Sequence, residues 1–489
     1  MNNKLNSFSD ILSSPENAEV QNLWKHVRKI SDIPHGSNNE SELRNYLIRI
    51  ADREGLEYEK DDIGNLIIRK PAQNSSSDKA LILQSHMDMI VTPKDSKFPL
   101  DLEIKEHNWL SAKNSSAGFD NNIGIAATLD ILEDKEMSHP PLECIFTVQE
   151  ETGMHGAENC KFDVKGRTLI NLDSEKIDEI AVGSAGGKVF ESVLQVEQSK
   201  VPKEFSKYQI DFLEFEGGHS GADIDANTGN PIKTVNSLLI RLASQGIEYY
   251  LQGIQGGETE IANLIPQNAK ISIYLKDSDF DTLKKETNIL IEKCRQNHNH
   301  DAITANIKKL DRFDEDMALS SISTKDLINY IEEIPSGVIE KEGQQVLQST
   351  NLGYLITTAT KVHIVNLYRS VSSSELEKIN KFFTEIGDRN NIETKETFSF
   401  PPCKQNKDSE ICEVIKKVYA QLSRVQVREA ISPGGLECKT LAKSLVDDYI
   451  DMISIGSTIV NPHSTREKVN IESVKEFLKI LKGVLEYLA

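Results

Sequence analysis

Short apolar runs recur along the first part of the chain, separated by polar and turn-forming residues. The runs NLIIRK, ALILQS, LECIFTVQ, RTLINLD and EIAVGSAG predict β-strands, because they are short and rich in β-branched side chains. Among them, residues 121–132 carry apolar side chains at helical spacing. Strands that alternate with helices predict a fold of the α/β class, with a mainly parallel sheet covered by helices.

The C-terminal part of the chain returns to the same pattern. The run YIDMISIGSTIV at residues 449–460 predicts a strand, and residues 470–489 predict a helix whose N-cap is Asn470. One face of that helix would carry the apolar residues Val474, Phe477, Leu478, Leu481, Leu485 and Leu488. We therefore expect the C-terminal residues to complete the first sheet.

The middle of the chain is richer in charged and amide side chains. Residues 270–294 and 361–386 each predict an alternating strand, a polar break and an amphipathic helix. In the second of these units, Ser372 and Glu375 form a helix-capping signal. The likeness of the two units is either a weak internal duplication or a chance similarity, because strand–helix units are common.

This change in composition between the middle and the two ends of the chain predicts two domains. Residues 1–187 and 401–489 would form the catalytic, metal-binding domain, and residues 188–400 would form an inserted α+β lid domain. The stretch SFPPCKQNKD, with its two adjacent prolines, is the expected linker back into the first domain.

Composition narrows the class of protein. A net charge of −20 over 489 residues argues against binding to nucleic-acid phosphates. No stretch approaches the roughly 18 apolar residues of a membrane span, and the N-terminal residues lack the pattern of a secretory signal. The six cysteines include no C-x-x-C pair, which predicts reduced thiols. We expect a cytoplasmic protein that binds neither nucleic acid nor membrane.

Side chains able to bind metal ions stand at the ends of the predicted strands or at a helix start. They are His86, Asp88, Asp120, Glu150, Glu151, Asp173 and His463. In open α/β sheets, ligands bind beyond the carboxyl ends of the strands. The adjacent glutamates have no lysine or arginine beside them in sequence, so a pair of divalent ions would balance their charge. Two histidines with carboxylates suit Zn²⁺ best, with Mn²⁺ or Co²⁺ as alternatives. The residues alone leave two interpretations open, a metal hydrolase or a set of unrelated solvated acidic residues.

Eight motifs, in a fixed order along most of the chain, carry a family resemblance. They are HMDMI (86–90), GFDNNIG (118–124), FTVQEETGMHGAE (146–158), LINLDSEKIDEIAVGSAGG (169–187), EGGHSGADIDANTGNP (216–231), NLIP (263–266), GGLEC (434–438) and MISIGSTIVNPHS (452–464). With them the chain resembles the zinc dipeptidase, aminoacylase and carboxypeptidase family, and within it the bacterial aminoacyl-histidine dipeptidases.

The resemblance implies a role for each candidate in the first domain. The implied ligands of two metal ions are His86, Asp120, Glu151, Asp173 and His463. Among them, Asp120 would bridge both ions. Asp88 would orient the imidazole of His86 through a hydrogen bond. Glu150 would act as the general base that takes a proton from the attacking water and passes it to the leaving amine.

The resemblance also implies roles for residues of the inserted domain. His219 would stabilise the oxyanion of the tetrahedral intermediate, in its own chain's site or in that of a partner in a homodimer. Asn263 and Arg369 would hold the terminal carboxylate of the substrate, with a backbone amide from Gly434 or Gly435 nearby. We expect the lid to close over the metal ions.

These implications predict a two-metal dipeptidase acting on dipeptides of the Xaa-His type. An N-acyl-amino-acid hydrolase or a tripeptidase of the same fold is the first alternative, and a catalytically silent metal-binding relative is the second. The sequence departs from the family pattern at Phe119, Asn122, Gln149, Gln267 and Pro433. None of these departures removes a predicted ligand or the predicted base, so they bear on substrate preference and turnover.

Overall fold

The computed structural model describes residues 7–106, 108–221, 223–257, 262–313, 316–403, 408–432, 435–446 and 449–489. Contacts divide the chain into two compact units. The first unit comprises the described residues of Met1–Gly183, Lys404–Ile431 and Leu436–Ala489, and the second those of Ser184–Cys403 and Ser432–Gly435. The roles predicted for the two domains, catalysis and lid, stay predictions.

The first unit is built on an eight-stranded sheet with a parallel centre. In spatial order its strands are Glu57–Lys60, Leu66–Lys70, Leu142–Thr147, Leu81–His86, Thr168–Asn171, Asp451–Ser454, Glu179–Ser184 and Arg428–Ser432. The third to sixth strands in this order run parallel to one another. The first strand is antiparallel to the second, the second to the third, and the seventh to the sixth. The α/β class is confirmed, with a sheet that is mixed at its edges.

Helices cover this sheet. Their bounds are Phe8–Ser13, Gln21–Ser31, Ser41–Glu54, Phe119–Glu133, His155–Glu158, Glu410–Leu422, Glu437–Leu445 and Ile471–Leu488, with a 3₁₀ helix at Pro15–Val20. The helix Ile471–Leu488 begins as predicted, since the side chain of Asn470 accepts a hydrogen bond from the backbone N–H of Ser473 at 2.9 Å. Among the described residues, no helix has the length and apolar character needed to cross a membrane.

The run at residues 449–460 forms two short strands where the sequence predicts one. Asp451–Ser454 lies in the large sheet, whereas Ile459–Val460 joins a four-stranded antiparallel sheet with Lys468–Asn470, Trp109–Ala112 and Leu102–Lys105. Between the two strands, Gly456 packs so closely on the backbone of Ser174 that a Cβ would not fit. The chain therefore leaves one sheet for the other just before His463.

The second unit contains a nine-stranded antiparallel sheet. Its strands are Thr304–Leu310, Phe205–Leu213, Ala269–Lys276, Tyr249–Gly256, Gln345–Thr357, Lys361–Ser370, Gly186–Gln195 and Glu393–Phe400 in spatial order, with Gly337–Glu342 beside Gln345–Thr357. Its helices are Pro231–Ser244, Phe280–His298, Ser321–Glu333 and Ser373–Arg389, with a 3₁₀ helix at Asp277–Asp279. Two strand pairs complete it, Gln198–Lys200 with Met317–Leu319 and Gly218–His219 with Leu264–Ile265. These elements confirm the α+β class of the inserted segment.

Both strand–helix units predicted in this region are present. The strand Ala269–Lys276 leads into the helix Phe280–His298, and the strand Lys361–Ser370 leads into Ser373–Arg389. The hydroxyl of Ser372 caps the second helix by accepting a hydrogen bond from the backbone N–H of Glu375. Their origin by internal duplication stays a hypothesis.

Candidate metal centre

The carboxyl ends of the central strands bring the predicted ligands together. His86 is the last residue of the strand Leu81–His86 and lies opposite Thr147 in the parallel register. Because parallel strands end at one edge of the sheet, the segments that follow each strand meet there. Those segments carry Glu150, Glu151 and Asp173. The sequence signal for the site was therefore the position of each side chain just after an apolar run.

Asp120 stands between the two histidines. Its Oδ1 atom lies 2.9 Å from His86 Nε2, and its Oδ2 atom lies 3.3 Å from His463 Nε2. His86 Nε2 is also 3.3 Å from Asp173 Oδ1, and His463 Nε2 is 2.9 Å from Glu151 Oε1. The five side chains thus form two groups, each with one imidazole and two carboxylates, that share Asp120.

The donor set fits a pair of divalent ions. In each group, and in a third formed by His86, Glu150 and Glu151, the ligand atoms lie within 4.8 Å of one another. The side chains are largely removed from solvent, with 1% of His86 and 4% of Glu151 exposed. Imidazole and carboxylate are the common non-thiolate ligands of zinc, and one carboxylate can bridge two ions. So many carboxylates in a buried space need cationic charge to be stable as anions.

The ionisation of the site reflects this crowding. Burial raises the pKa of Glu150 well above its usual value and raises the pKa of Asp173 to about 7. Burial disfavours the protonated form of His86, but the neighbouring Asp173 and Asp120 raise its pKa well above the usual value. Burial also opposes ionisation of Asp120, yet hydrogen bonds with His463 and His86 lower its pKa well below the usual value. Without metal the site therefore retains protons, which a bound cation would displace.

Asp88 contacts its neighbours differently from the sequence-based prediction. The ring of His86 donates through Nδ1 to the backbone carbonyl of Asp88 at 2.8 Å, whereas the carboxylate Oδ1 lies 3.7 Å away. The carboxylate instead accepts hydrogen bonds from the backbone N–H groups of Glu150 and Glu151 at 2.9 and 3.2 Å, and from the hydroxyl of Ser37 at 2.8 Å. Asp88 therefore contacts the ring through its main chain, while its side chain satisfies N–H groups that lie past the strand end and need an acceptor. The role predicted for its side chain in orienting the ring stays a prediction.

Glu40, which the sequence analysis did not identify, accepts a hydrogen bond from the residue that precedes Glu150 and Glu151. Its Oε1 atom accepts hydrogen bonds from the backbone N–H groups of Gln149 and Asn38 at 3.2 and 2.9 Å. Gln149 has a positive φ of 55°. Two buried carboxylates, Glu40 and Asp88, thus fix three successive amides of the turn that presents Glu150.

Glu437 is a second residue missed by the sequence analysis. It lies fully buried, and its carboxylate accepts hydrogen bonds from the hydroxyl of Thr147 at 2.8 Å and from the amide of Gln84. Gln84 in turn accepts a hydrogen bond from the side chain of Asn171. This hydrogen-bond network links three neighbouring central strands of the sheet, close to the strand ends that lead to the site. The available signal is the GGLEC motif, in which the family resemblance implies a role for the glycines alone.

Removing the Glu437 carboxyl is expected to weaken the pH dependence of stability. Burial raises its pKa to about 8, so the folded, metal-free protein binds this proton more tightly than the unfolded chain does. Its contribution to the free energy of unfolding is complete below the ordinary carboxyl pKa and falls by up to about 1.4 kcal/mol per pH unit as pH rises toward 8. Urea unfolding of chelator-treated wild type and Glu437→Gln at pH 5, 6, 7 and 8 measures this, and equal slopes would contradict it.

The other predicted site residues belong to the second unit, except Gly434, which lies outside the described residues. His219 lies opposite Leu264 in a pair of short strands. The backbone carbonyl of Asn263 accepts a hydrogen bond from the backbone N–H of Ser220 at 2.7 Å, so His219 and Asn263 are neighbours. Arg369 is buried on the strand Lys361–Ser370, and its guanidinium carbon lies 5.7 Å from the centre of the Phe400 ring. Gly435, which is within the described residues, is half-buried.

Comparison with known proteins gives one consistent family. A model of peptidase family M20/M25/M40 matches residues 82–487. The cytosol non-specific dipeptidase of Escherichia coli (strain K12) is 32% identical over 483 residues, which are 95% of this chain and 97% of that protein. The crystal structure of aminoacylhistidine dipeptidase from Vibrio alginolyticus is 28% identical with a TM-score of 0.72, and covers 98% of this chain and 99% of its own.

A solved structure of much lower sequence identity is similar to this chain in fold alone. Human carnosine dipeptidase 1 is 13% identical, with a TM-score of 0.51 and 98% of each chain covered. The family match spans most of the sequence and includes every strand end that carries a candidate ligand. This chain belongs to peptidase family M20/M25/M40.

Proposed function

We propose that this peptidase is a cytoplasmic dipeptidase that uses two divalent metal ions and favours dipeptides with histidine in second place. The observation that carries the proposal is the convergence of two imidazoles and three carboxylates at the strand ends, with Glu150 beside them. The substrate class is supported by two similar proteins, one named a non-specific dipeptidase and the other an aminoacylhistidine dipeptidase.

Five side chains would hold the metal ions. His86, Asp120 and Asp173 would bind one ion. Asp120, Glu151 and His463 would bind the other, so that Asp120, which belongs to both groups, would be a ligand of both ions. Zn²⁺ suits this mixture of imidazole and carboxylate, with Mn²⁺ and Co²⁺ as alternatives. When bound, such ions supply an activated water nucleophile and polarise the peptide carbonyl.

Glu150 would move the proton. It lies beside the ligands without belonging to either group that shares Asp120, so its carboxylate is available for acid–base chemistry. Burial raises its affinity for a proton, which suits a base that takes a proton from water and then donates it to the leaving amine. Asp88 would keep this carboxylate in place by holding the backbone N–H of Glu150.

Residues of the second unit would bind the substrate. His219 would donate a hydrogen bond to the oxyanion that forms at the scissile carbonyl. Asn263 and Arg369, with a backbone amide of Gly434 or Gly435, would hold the C-terminal carboxylate of the dipeptide. The buried guanidinium of Arg369 supports this role, because a planar guanidinium binds a carboxylate through two parallel hydrogen bonds.

Replacing Arg369 with alanine is expected to impair chiefly the substrates that have a free C-terminal carboxylate. Loss of charge-assisted hydrogen bonds costs roughly 1.5–3 kcal/mol, which corresponds to about a 10- to 150-fold fall in kcat/KM. The measurement compares each dipeptide with its C-terminal amide in wild type and variant. The exposed Arg389, which pairs with Glu333 in the same unit, gives a matched control in Arg389→Ala. An equal loss on free and amidated dipeptides would remove Arg369 from this role.

One assay tests the proposed function. The purified protein is stripped with a chelator and restored with Zn²⁺, Mn²⁺ or Co²⁺. It is then incubated with a mixture of Xaa-His dipeptides, other dipeptides, tripeptides and N-acetyl amino acids. Metal-dependent loss of dipeptides is the expected result. Loss of tripeptides or acylated compounds alone would assign a different substrate, and no turnover with metal bound would identify a silent relative.

The proposed location in the cytoplasm has two supports. One similar protein is named a cytosol dipeptidase. All six cysteines fall within the described residues, and none of them forms a disulfide. A homodimer stays part of the proposal, to be tested by sedimentation of the purified chain.

A further inference from the structure

Glu467 is a buried carboxylate that binds the backbone just before Asp120. Only 1% of Glu467 is exposed. Its Oε2 atom accepts hydrogen bonds from the N–H groups of Ala117 and Gly118 at 2.7 and 3.0 Å, and its Oε1 atom accepts one from Phe119 at 2.7 Å. Three successive amides therefore point at one carboxylate, which fixes the direction in which the chain enters residue 120.

The same residue is anchored on the segment that carries His463. Its backbone N–H donates to the carbonyl of Ser464 at 3.1 Å. Its own carbonyl accepts a hydrogen bond from the hydroxyl of Ser111 at 2.8 Å. Glu467 thus links two segments that are distant in sequence, one bearing Asp120 and the other His463. The side chains of these two residues approach to 3.3 Å.

We propose that Glu467 is a positioning residue that sets the spacing of Asp120 and His463, and thereby the metal affinity of the group formed by Asp120, Glu151 and His463. This inference rests on the proposed function, because it assigns metal ions to that group. Glu467 has no metal-binding role of its own in the proposal. It acts through three main-chain hydrogen bonds, and the loss of such supporting contacts lowers metal affinity or activity roughly 10- to 100-fold.

Glu467→Gln tests the inference with nearly the same shape. An amide has one acceptor oxygen in place of two, so its NH₂ group would face at least one backbone N–H that also donates. Co²⁺ is titrated into the chelator-treated full chain, and visible absorption reports both affinity and coordination. We expect one of two Co²⁺ sites to weaken roughly 10- to 100-fold, with a changed absorption spectrum.

Glu143→Gln is the matched control. Glu143 is also buried, and its carboxylate accepts hydrogen bonds from the backbone N–H groups of Lys165 and Gly166 at 3.0 and 2.8 Å. It lies near the start of the strand Leu142–Thr147, away from the end that leads to the site. This variant loses the same kind of contact, so it should lose stability and keep both Co²⁺ affinities and the wild-type spectrum.

Ser111→Ala is a second test that retains the carboxylate, in case Glu467→Gln does not fold. It removes one anchor of Glu467, and we expect the same Co²⁺ site to weaken by a smaller factor. The proposal is overturned if the folded variants bind Co²⁺ like wild type, if Glu143→Gln shows the same change, or if wild type binds no Co²⁺. If wild type binds Co²⁺ but cleaves no dipeptide, the proposed activity is wrong, while the titrations still decide the role of Glu467.

Discussion

Replacing Glu150 with glutamine is expected to lower kcat for dipeptide hydrolysis roughly 10²- to 10⁴-fold while the metal content stays at the wild-type value. Glutamine has nearly the same shape but cannot take a proton from water or return one to the leaving amine. The Asp88 carboxylate binds the backbone N–H of residue 150, so the turn should keep its conformation. Steady-state kinetics on an Xaa-His dipeptide, with metal analysis of the same sample, measures both quantities.

The adjacent residue supplies the control. Glu151→Gln changes a side chain that lies 2.9 Å from His463 Nε2, in the group proposed to bind metal. We expect that variant to lose metal as well as turnover, and added Zn²⁺ should restore part of its activity. Added metal should not restore Glu150→Gln. Near-normal kcat in Glu150→Gln, or a comparable loss of metal in both variants, would exclude Glu150 as the base.

Replacing Asp120 with asparagine is expected to remove bound metal from both groups at once. Its two carboxylate oxygens face His86 and His463, at 2.9 and 3.3 Å. A neutral amide offers one oxygen and no charge, so it cannot serve as an anionic ligand to two cations. We expect the Zn²⁺ content of the purified variant to fall below one ion per chain, and turnover to fall at least as far as in Glu150→Gln.

Asp130→Asn controls for the loss of a buried charge. Asp130 lies on the same helix, Phe119–Glu133, and pairs with Lys482 at 2.8 Å. Removing one partner of this pair should destabilise the protein without changing its metal content. A variant Asp120→Asn that retains two Zn²⁺ ions would show that the two groups do not share this ligand.

The positions of the metal-binding candidates could be predicted from the sequence because each follows a local pattern. A short apolar run predicts a strand, and parallel strands place their carboxyl ends at one edge of the sheet. His86 and Asp173 were found in this way, and the structure brings them to 3.3 Å. The N-cap at Asn470 was predictable for the same reason, since its signal lies within a few residues of sequence.

The main-chain contacts of the supporting carboxylates could not be predicted in this way, although Asp88 itself was a candidate from the sequence. Glu40, Asp88 and Glu467 accept hydrogen bonds from main-chain N–H groups that lie far from them in sequence. Which amides lack a partner in a strand or helix is known only once the chain is folded. The break within residues 449–460 was missed for a similar reason, because it depends on contact between Gly456 and the backbone of Ser174.

The place of the strand Asp451–Ser454 in the large sheet bears on how the protein is made. This strand lies between Thr168–Asn171 and Glu179–Ser184, both of which leave the ribosome long before it. Until it is synthesised, these earlier strands expose unpaired main-chain groups and apolar side chains to the cell. His463 follows the same strand, so a nascent chain cannot bring this side chain beside Asp120 and Glu151 until that strand has been made. The edges of these two strands therefore wait longer for their partner than in a protein whose sheet forms in sequence order, which is the kind of topology that folds slowly.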